Sequence, residues 1–220
     1  MHNLRQSLGK MVQLKNAPNQ RSDDPIILIG ASTGGIDALL KVLADFGEDC
    51  PPTLVVQHTG RGFGESLANL LDKKCKAKVT LAQEEGPIQI GKVIIGAGSQ
   101  AHLVIKNAPS LMYKLTDFGN VSGHMPSVDA LFDSATHLGP RIRAALLTGM
   151  GRDGAEGLRK LRLAGAKTIA QDEESSVVYG MPRAAMENGG VELCLPLDKI
   201  GAALLADASS RNPKVGGSFK

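Results

Sequence analysis

The chain has 220 residues, 42% of them hydrophobic, and a formal net charge of +3, enough for one well-buried core. Scattered cations without a long Lys/Arg run, 3% aromatic residues and no tryptophan exclude a nucleic-acid stripe or a base-stacking platform. No apolar stretch approaches the ~20 residues that span a bilayer, no signal-peptide core opens the chain, and Cys50, Cys75 and Cys194 lack C-x-x-C spacing, so the sequence predicts no membrane insertion, a cytoplasmic location and reduced, packing thiols.

Residues 1–24 read as an N-terminal extension. Leu4, Leu8, Met11 and Val12 fit one face of a short helix, and the polar stretch up to Pro25 reads as a linker. From Pro25 onward strands and helices alternate. Ile26–Gly30 is an apolar strand, followed by a helix over Gly35–Phe46 with Ile36, Leu39, Leu40 and Leu43 on one face. Thr53–Gln57 is a second strand, and the next helix places Phe63, Leu67, Leu70 and Leu71 together. Val79–Ala82, Lys92–Ile95 and His102–Lys106 read as short strands, and Leu103–Thr116 as a hairpin turning at Asn107–Ser110. A helix carrying Val128, Leu131, Phe132 and Ala135 starts at a Ser127 cap. Arg141–Leu147, Ala155–Ala164 (closed by Gly165), Lys167–Ala170, Pro182–Asn188, Val191–Leu195 and Leu197–Asp207 continue the alternation. The pattern predicts an α/β fold: a doubly wound, mostly parallel sheet flanked by helices, with a small appended β-hairpin. The domain spans 25–208, and 209–220 form a C-terminal tail.

Ligands of such sheets bind outside the carboxyl ends of the strands, so polar residues just after strands carry the functional signal. Gly30-Ala31-Ser32-Thr33-Gly34 follows the first strand as G-x-S-x-G, a sharp strand-to-helix turn that exposes a serine hydroxyl. His58 follows the second strand, and Asp153 lies in Thr148-Gly149-Met150-Gly151-Arg152-Asp153-Gly154, after the strand ending at Leu147. A serine hydroxyl is a weak nucleophile near neutral pH and needs a neutral imidazole to take its proton. Ser32 would attack, His58 act as base and then acid, and Asp153 hold the imidazole tautomer. The glycines around Met150 leave backbone N–H groups free for a developing oxyanion. Under this reading Asp153→Asn leaves folding intact and lowers kcat ~10⁴-fold.

Each element also has a plainer reading. G-x-S-x-G occurs in ordinary loops, a histidine after a strand is often structural, and a G-x-x-D-G aspartate often forms a turn. A dinucleotide-binding turn is disfavoured because G-x-G-x-x-G spacing is not met and Gln57-His58 replaces the ribose-binding acid. Asp129, Asp133 and His137 recur at helical spacing, but without H-E-x-x-H they read as a solvated helix face and no metal site is expected. His102 reads as packed or half-exposed, and the chemistry of His124 is not legible.

Taken together, Ile29-Gly30-Ala31-Ser32-Thr33-Gly34-Gly35, Gln57-His58, His124-Met125-Pro126-Ser127-Val128-Asp129, Thr148–Gly154, Ala170-Gln171-Asp172-Glu173 and Val178-Tyr179-Gly180-Met181-Pro182 resemble the catalytic domain of the chemotaxis protein-glutamate methylesterases (CheB). The resemblance runs from about Ile26 to Leu205. It implies a parallel α/β sheet with an appended hairpin and hydrolysis of glutamate γ-methyl esters on methylated chemoreceptor cytoplasmic domains, with deamidation of receptor glutamines in some members. It implies Ser32, His58 and Asp153 as catalytic residues, oxyanion contacts at the Thr33 and Met150 backbone, and no cofactor. Two departures stand out. The 24 residues before Pro25 are too few for the family's receiver domain, so a stand-alone or excised esterase, with a separate receiver or regulator as partner, is the expectation. Thr59-Gly60-Arg61-Gly62-Phe63 replaces the family's usual Met-Pro segment beside the site. A catalytically idle receptor-binding module and an esterase for small molecules are the competing readings.

Overall fold

The run Ile26–Ile29 is apolar without alternation, the pattern of a strand covered on both faces. In the computed structural model, which describes residues 24–106 and 110–206, it opens the central strand of the molecule. The elements in chain order are β1 (Ile26–Ala31), α1 (Gly35–Leu43), β2 (Thr53–Gln57), α2 (Gly64–Lys74), β3 (Lys78–Leu81), β4 (Glu85–Pro87), β5 (Lys92–Ala97), β6 (His102–Ile105) and β7 (Met112–Thr116). They continue with α3 (Val128–Ser134), a 3-10 segment (Thr136–Arg141), β8 (Ile142–Leu146), α4 (Ala155–Leu163), β9 (Lys167–Gln171), α5 (Met181–Glu187), β10 (Leu193–Leu195) and α6 (Leu197–Leu205).

Seven strands form one sheet in the order β10-β9-β8-β1-β2-β5-β3, every neighbouring pair parallel. One face packs against α1, α2 and α6 through Leu39, Leu43, Leu71 and Leu204. The other packs against α3, α4 and α5 through Leu131, Phe132, Leu158 and Met181. The expected hairpin is present as β6 and β7, and β4 extends it to a three-stranded antiparallel sheet that shares the second core through Leu103, Ile105 and Tyr113. Sequence reasoning overlooked β4 because Glu85-Gly86-Pro87 carries no apolar run. The tip of the hairpin, the proposed helix in 1–24 and the tail beyond 206 lie outside the described residues.

Two local expectations need correction. In α2 the buried residues are Gly64, Leu67, Ala68 and Leu71; Phe63 is 65% exposed and Leu70 is also exposed, so the apolar stripe is narrower than the spacing suggested. Cys50 is buried, Cys75 half-buried and Cys194 exposed, so packing accounts for the first two thiols only. Burial pushes the Cys50 thiol up to about 11.

The site follows from the strand order. Strand β1 lies between β2 and β8, with Ala31 opposite Gln57 and Gly30 opposite Leu146. The loops leaving these three neighbouring strands therefore start side by side at the carboxyl edge, and they carry Ser32, His58 and Asp153.

Candidate active site

Strand β1 passes into α1 within three residues. The Gly35 N–H donates to the Ser32 carbonyl at 2.8 Å, and Gly34, at φ 78°, caps the helix in the left-handed region that favours glycine. Ser32 is thereby held at the apex of the turn. From the β8 side, Gly149 approaches so closely that an added Cβ would lie 2.7 Å from the Ser32 Cβ. Ser32 N–H donates to the Thr148 carbonyl at 3.0 Å, and the Thr148 hydroxyl donates to the Thr33 carbonyl at 2.9 Å. These bonds tie the serine turn to the loop carrying Met150. Among the described residues, neither the Thr33 N–H nor the Met150 N–H has an acceptor.

His58 leaves β2 with its N–H donating to the Ala31 carbonyl at 3.0 Å. The preceding Gln57 is buried, and its Nε2 donates to the Ser32 carbonyl at 2.8 Å and to the His58 carbonyl at 2.9 Å. One amide thus fixes the backbone of both residues. A glutamine directly after the apolar run Leu-Val-Val is the sequence signal for this clamp.

Asp153 is fully buried. Its Oδ2 accepts from His58 Nε2 at 2.8 Å and from the Val128 N–H at 2.7 Å. Its Oδ1 accepts from the Ser127 hydroxyl at 2.7 Å and from the Asp129 N–H at 3.0 Å. Burial alone opposes the charge, but the bonds from His58, the two backbone N–H groups and Ser127 outweigh it and hold the carboxyl below the ordinary carboxylate range. An ionised carboxylate only accepts, so His58 Nε2 carries the ring proton and Nδ1 bears the lone pair. Nδ1 is buried and has no hydrogen-bond partner among the described residues. No hydrogen bond joins it to Ser32 Oγ in this resting geometry, and such bonds commonly tighten only with substrate present. Ser32, Thr33, Gln57 and His58 line one open cleft of about 450 Å³, with Ile36 and Phe63 on its rim.

Several neighbours escaped the sequence reading. Ser127 caps α3 by accepting from the Ala130 N–H at 3.2 Å, as expected, but the same hydroxyl also donates to Asp153. His102 is fully buried; its Nδ1 accepts from the Ser127 N–H at 3.1 Å, and its Nε2 donates to the Gly119 carbonyl at 2.7 Å. His124 stacks on His58, with ring centroids 3.9 Å apart and planes 8° from parallel. The expected solvated face of Asp129, Asp133 and His137 holds for exposed His137 and half-exposed Asp133 and is corrected at Asp129. Asp129 is buried and accepts from the Ser122 hydroxyl at 2.6 Å and the Gly157 N–H at 2.7 Å, because α4 lies against that side of α3. Burial, reinforced by the neighbouring Asp153 charge, pushes its carboxyl up despite these bonds. Asp133 pairs with Lys160 at 2.8 Å, and His137 lies beyond the end of α3. Among the described residues, no group of three His, Cys, Asp or Glu is placed to hold a metal ion.

Fold and site together define a class: a parallel α/β domain with a serine, a histidine and an aspartate on adjoining loops at the carboxyl edge of its sheet. Within that class the chain belongs to the CheB methylesterase family, whose family profile matches residues 27–204. A relative from Caulobacter vibrioides, named protein-glutamate methylesterase/protein-glutamine glutaminase 1, is 46% identical over 201 residues, covering 89% of this chain and 58% of its own. One from Gluconobacter oxydans, named protein-glutamate methylesterase/protein-glutamine glutaminase, is 48% identical over 184 residues, covering 82% and 52%. This chain thus spans about half the length of the curated relatives it matches. The crystal structure of the Thermotoga maritima CheB methylesterase catalytic domain is similar with a TM-score of 0.79 and 34% identity, over 83% of this chain and 97% of that one.

Proposed function

We propose that this chain hydrolyses glutamate γ-methyl esters on the cytoplasmic domains of methylated chemoreceptors, releasing methanol, with Ser32, His58 and Asp153 as its catalytic residues. The observation that carries the reading is the His58–Asp153 bond of 2.8 Å, which leaves the buried Nδ1 lone pair on the strand end next to Ser32. Family membership supplies the substrate class, and the relatives' names add glutamine deamidation as a second reaction of the same site.

In the proposed sequence Ser32 Oγ attacks the ester carbonyl carbon as its proton passes to His58 Nδ1. Asp153 holds the resulting imidazolium through Nε2–H without taking the proton. The carbonyl oxygen becomes an oxyanion facing the Thr33 and Met150 N–H groups, each worth ~3–4 kcal/mol in the transition state. Collapse breaks the carbon–oxygen bond to the methoxy group, which leaves as methanol with the proton from Nδ1. Water then attacks the acyl-serine, His58 takes and returns one proton, and glutamate is freed. With glutamine the leaving group is ammonia. The open cleft, rimmed by exposed side chains such as Ile36 and Phe63, suits a reactive side chain carried on a protein surface better than an enclosed small ester. The working unit under this reading is 25–208, with 1–24 and 209–220 as flanking segments. Its location is the cytoplasm, where the receptor domains lie; no helix among the described residues is long and apolar enough to cross a membrane.

The test is methanol release from methylated chemoreceptor membranes by the wild type and by Ser32→Ala. Release by the wild type alone is expected. Equal release by the variant would overturn the mechanism, and no release by folded wild type would overturn the substrate.

A further inference from the structure

The stacking of His124 on His58 is the one aromatic contact to the proposed base among the described residues, and no step of the mechanism above uses it. The segment that presents His124 is built for the purpose. Val121 and His124 exchange both backbone hydrogen bonds, at 3.1 and 2.9 Å, around Ser122 at φ 51° and Gly123 at φ 81°. Positive φ at both central residues makes a tight turn of the primed type. For serine this conformation is strained, so a neighbour must hold it. The Ser122 hydroxyl donates to the buried Asp129 at 2.6 Å, and the N–H of Asp129 donates to Asp153. The turn is therefore anchored to the carboxylate that fixes the other end of the base.

Resting on the catalytic assignment proposed above, we infer that His124 is a positioning residue for His58: stacked face to face on the imidazole, it fixes the plane in which Nδ1 meets Ser32 Oγ. Asp153 fixes one ring nitrogen but leaves the imidazole free to rock about that bond, and a parallel ring at 3.9 Å removes the freedom on one face. The charge state of His124 matters because the charged groups acting on it are His58 and Asp153. Burial first, and then the proximity of His58, hold its proton affinity below that of an ordinary histidine, against the pull of Asp153. Both causes thus oppose a proton on His124 while His58 takes the serine proton. Protonated, it would lay a second cation flat against the imidazolium and oppose that transfer.

The experiment uses inactivation by a fluorophosphonate probe, which needs no receptor. The Ser32 Oγ–phosphorus bond forms, fluoride leaves, and the hydroxyl proton passes to His58 Nδ1, so the rate reads the base directly. His124→Ala is expected to lower this rate by about 10- to 100-fold, and kcat for receptor methyl esters in parallel with KM unchanged. His124→Phe keeps a flat ring without a titrating nitrogen and should restore most of the rate. Its rate should lose the part of the wild type's acid fall that comes from protonating His124. An unchanged rate and pH profile in His124→Ala would overturn the inference, as would His124→Phe remaining as slow as His124→Ala. Equal labelling of Ser32→Ala would instead remove the catalytic assignment. Correct probe kinetics without methanol release would remove only the receptor substrate.

Discussion

The two ends of the site are built on opposite terms. At the Asp153 end everything is buried and satisfied: one carboxylate accepts four bonds, from His58, Val128, Ser127 and Asp129, and rigid α3 and α4 enclose it. At the Ser32 end the hydroxyl, the Thr33 and Met150 N–H groups and His58 Nδ1 have no partners among the described residues, and the cleft is open. The contrast separates two tasks. Under the proposed mechanism, unsatisfied groups at the open end bind the developing charge, and the saturated end supplies the stiffness that keeps them aimed. Changes at the open end should therefore cost activity alone, whereas changes at the closed end should cost stability as well.

The largest effect tests the open end. Ser32→Ala should lower methanol release by on the order of 10⁶-fold, yet move Tm by no more than about 2 °C, because the Oγ makes no bond within the described fold. A large loss of Tm in this variant would break the contrast. Asp153→Asn is next. The expectation that it leaves folding intact is revised by the geometry: an amide has one accepting oxygen, so its NH₂ must face two of the four donors. Leaving buried donors unpaired costs about 1–3 kcal/mol each, or roughly 6–12 °C in Tm for a net loss of about 3 kcal/mol in a chain of this size. On top of the ~10⁴-fold loss of kcat from the wrong tautomer, thermal unfolding should show this second effect.

How much of this was legible depended on where the signal lay. The grouping of Ser32, His58 and Asp153 was readable because each stands just past an apolar run, and the order of the parallel strands then brings those ends together. The donors around Asp153 were not, because they come from the first turn of α3, whose docking on α4 is a tertiary fact. Asp129 illustrates the point. Its spacing to Asp133 suggested one solvated face, but the absence of a side chain at Gly157 lets α4 come close enough to bury it. His124 was equally opaque, since its ring reaches His58 only through the turn at Ser122 and Gly123.

Smaller effects sharpen the contrast. Ser127→Ala removes both the cap of α3 and one donor to Asp153. It should cost about 1–2 kcal/mol, read as a Tm loss of about 2–8 °C, and about tenfold in kcat with KM unchanged.

The two carboxylates beside α3 should titrate with opposite signs. The Asp153 carboxyl is held below its ordinary value, so the stability it contributes is complete above about pH 4 and is lost as pH falls through its folded value. The Asp129 carboxyl is pushed up. The folded protein binds that proton more tightly than the unfolded chain, so ionising Asp129 lowers stability as pH rises from about 4 through its folded value. Asp129→Asn keeps an oxygen for the Gly157 N–H, and its NH₂ can donate to Ser122, while the charge disappears. Thermal unfolding should therefore find this variant as stable as the wild type or slightly more so at neutral pH, with the difference shrinking toward pH ~4. A destabilisation as large as that of Asp153→Asn would mean that Asp129 belongs to the charged anchor itself, and the division of the site into an aiming end and an acting end would need redrawing around two carboxylates.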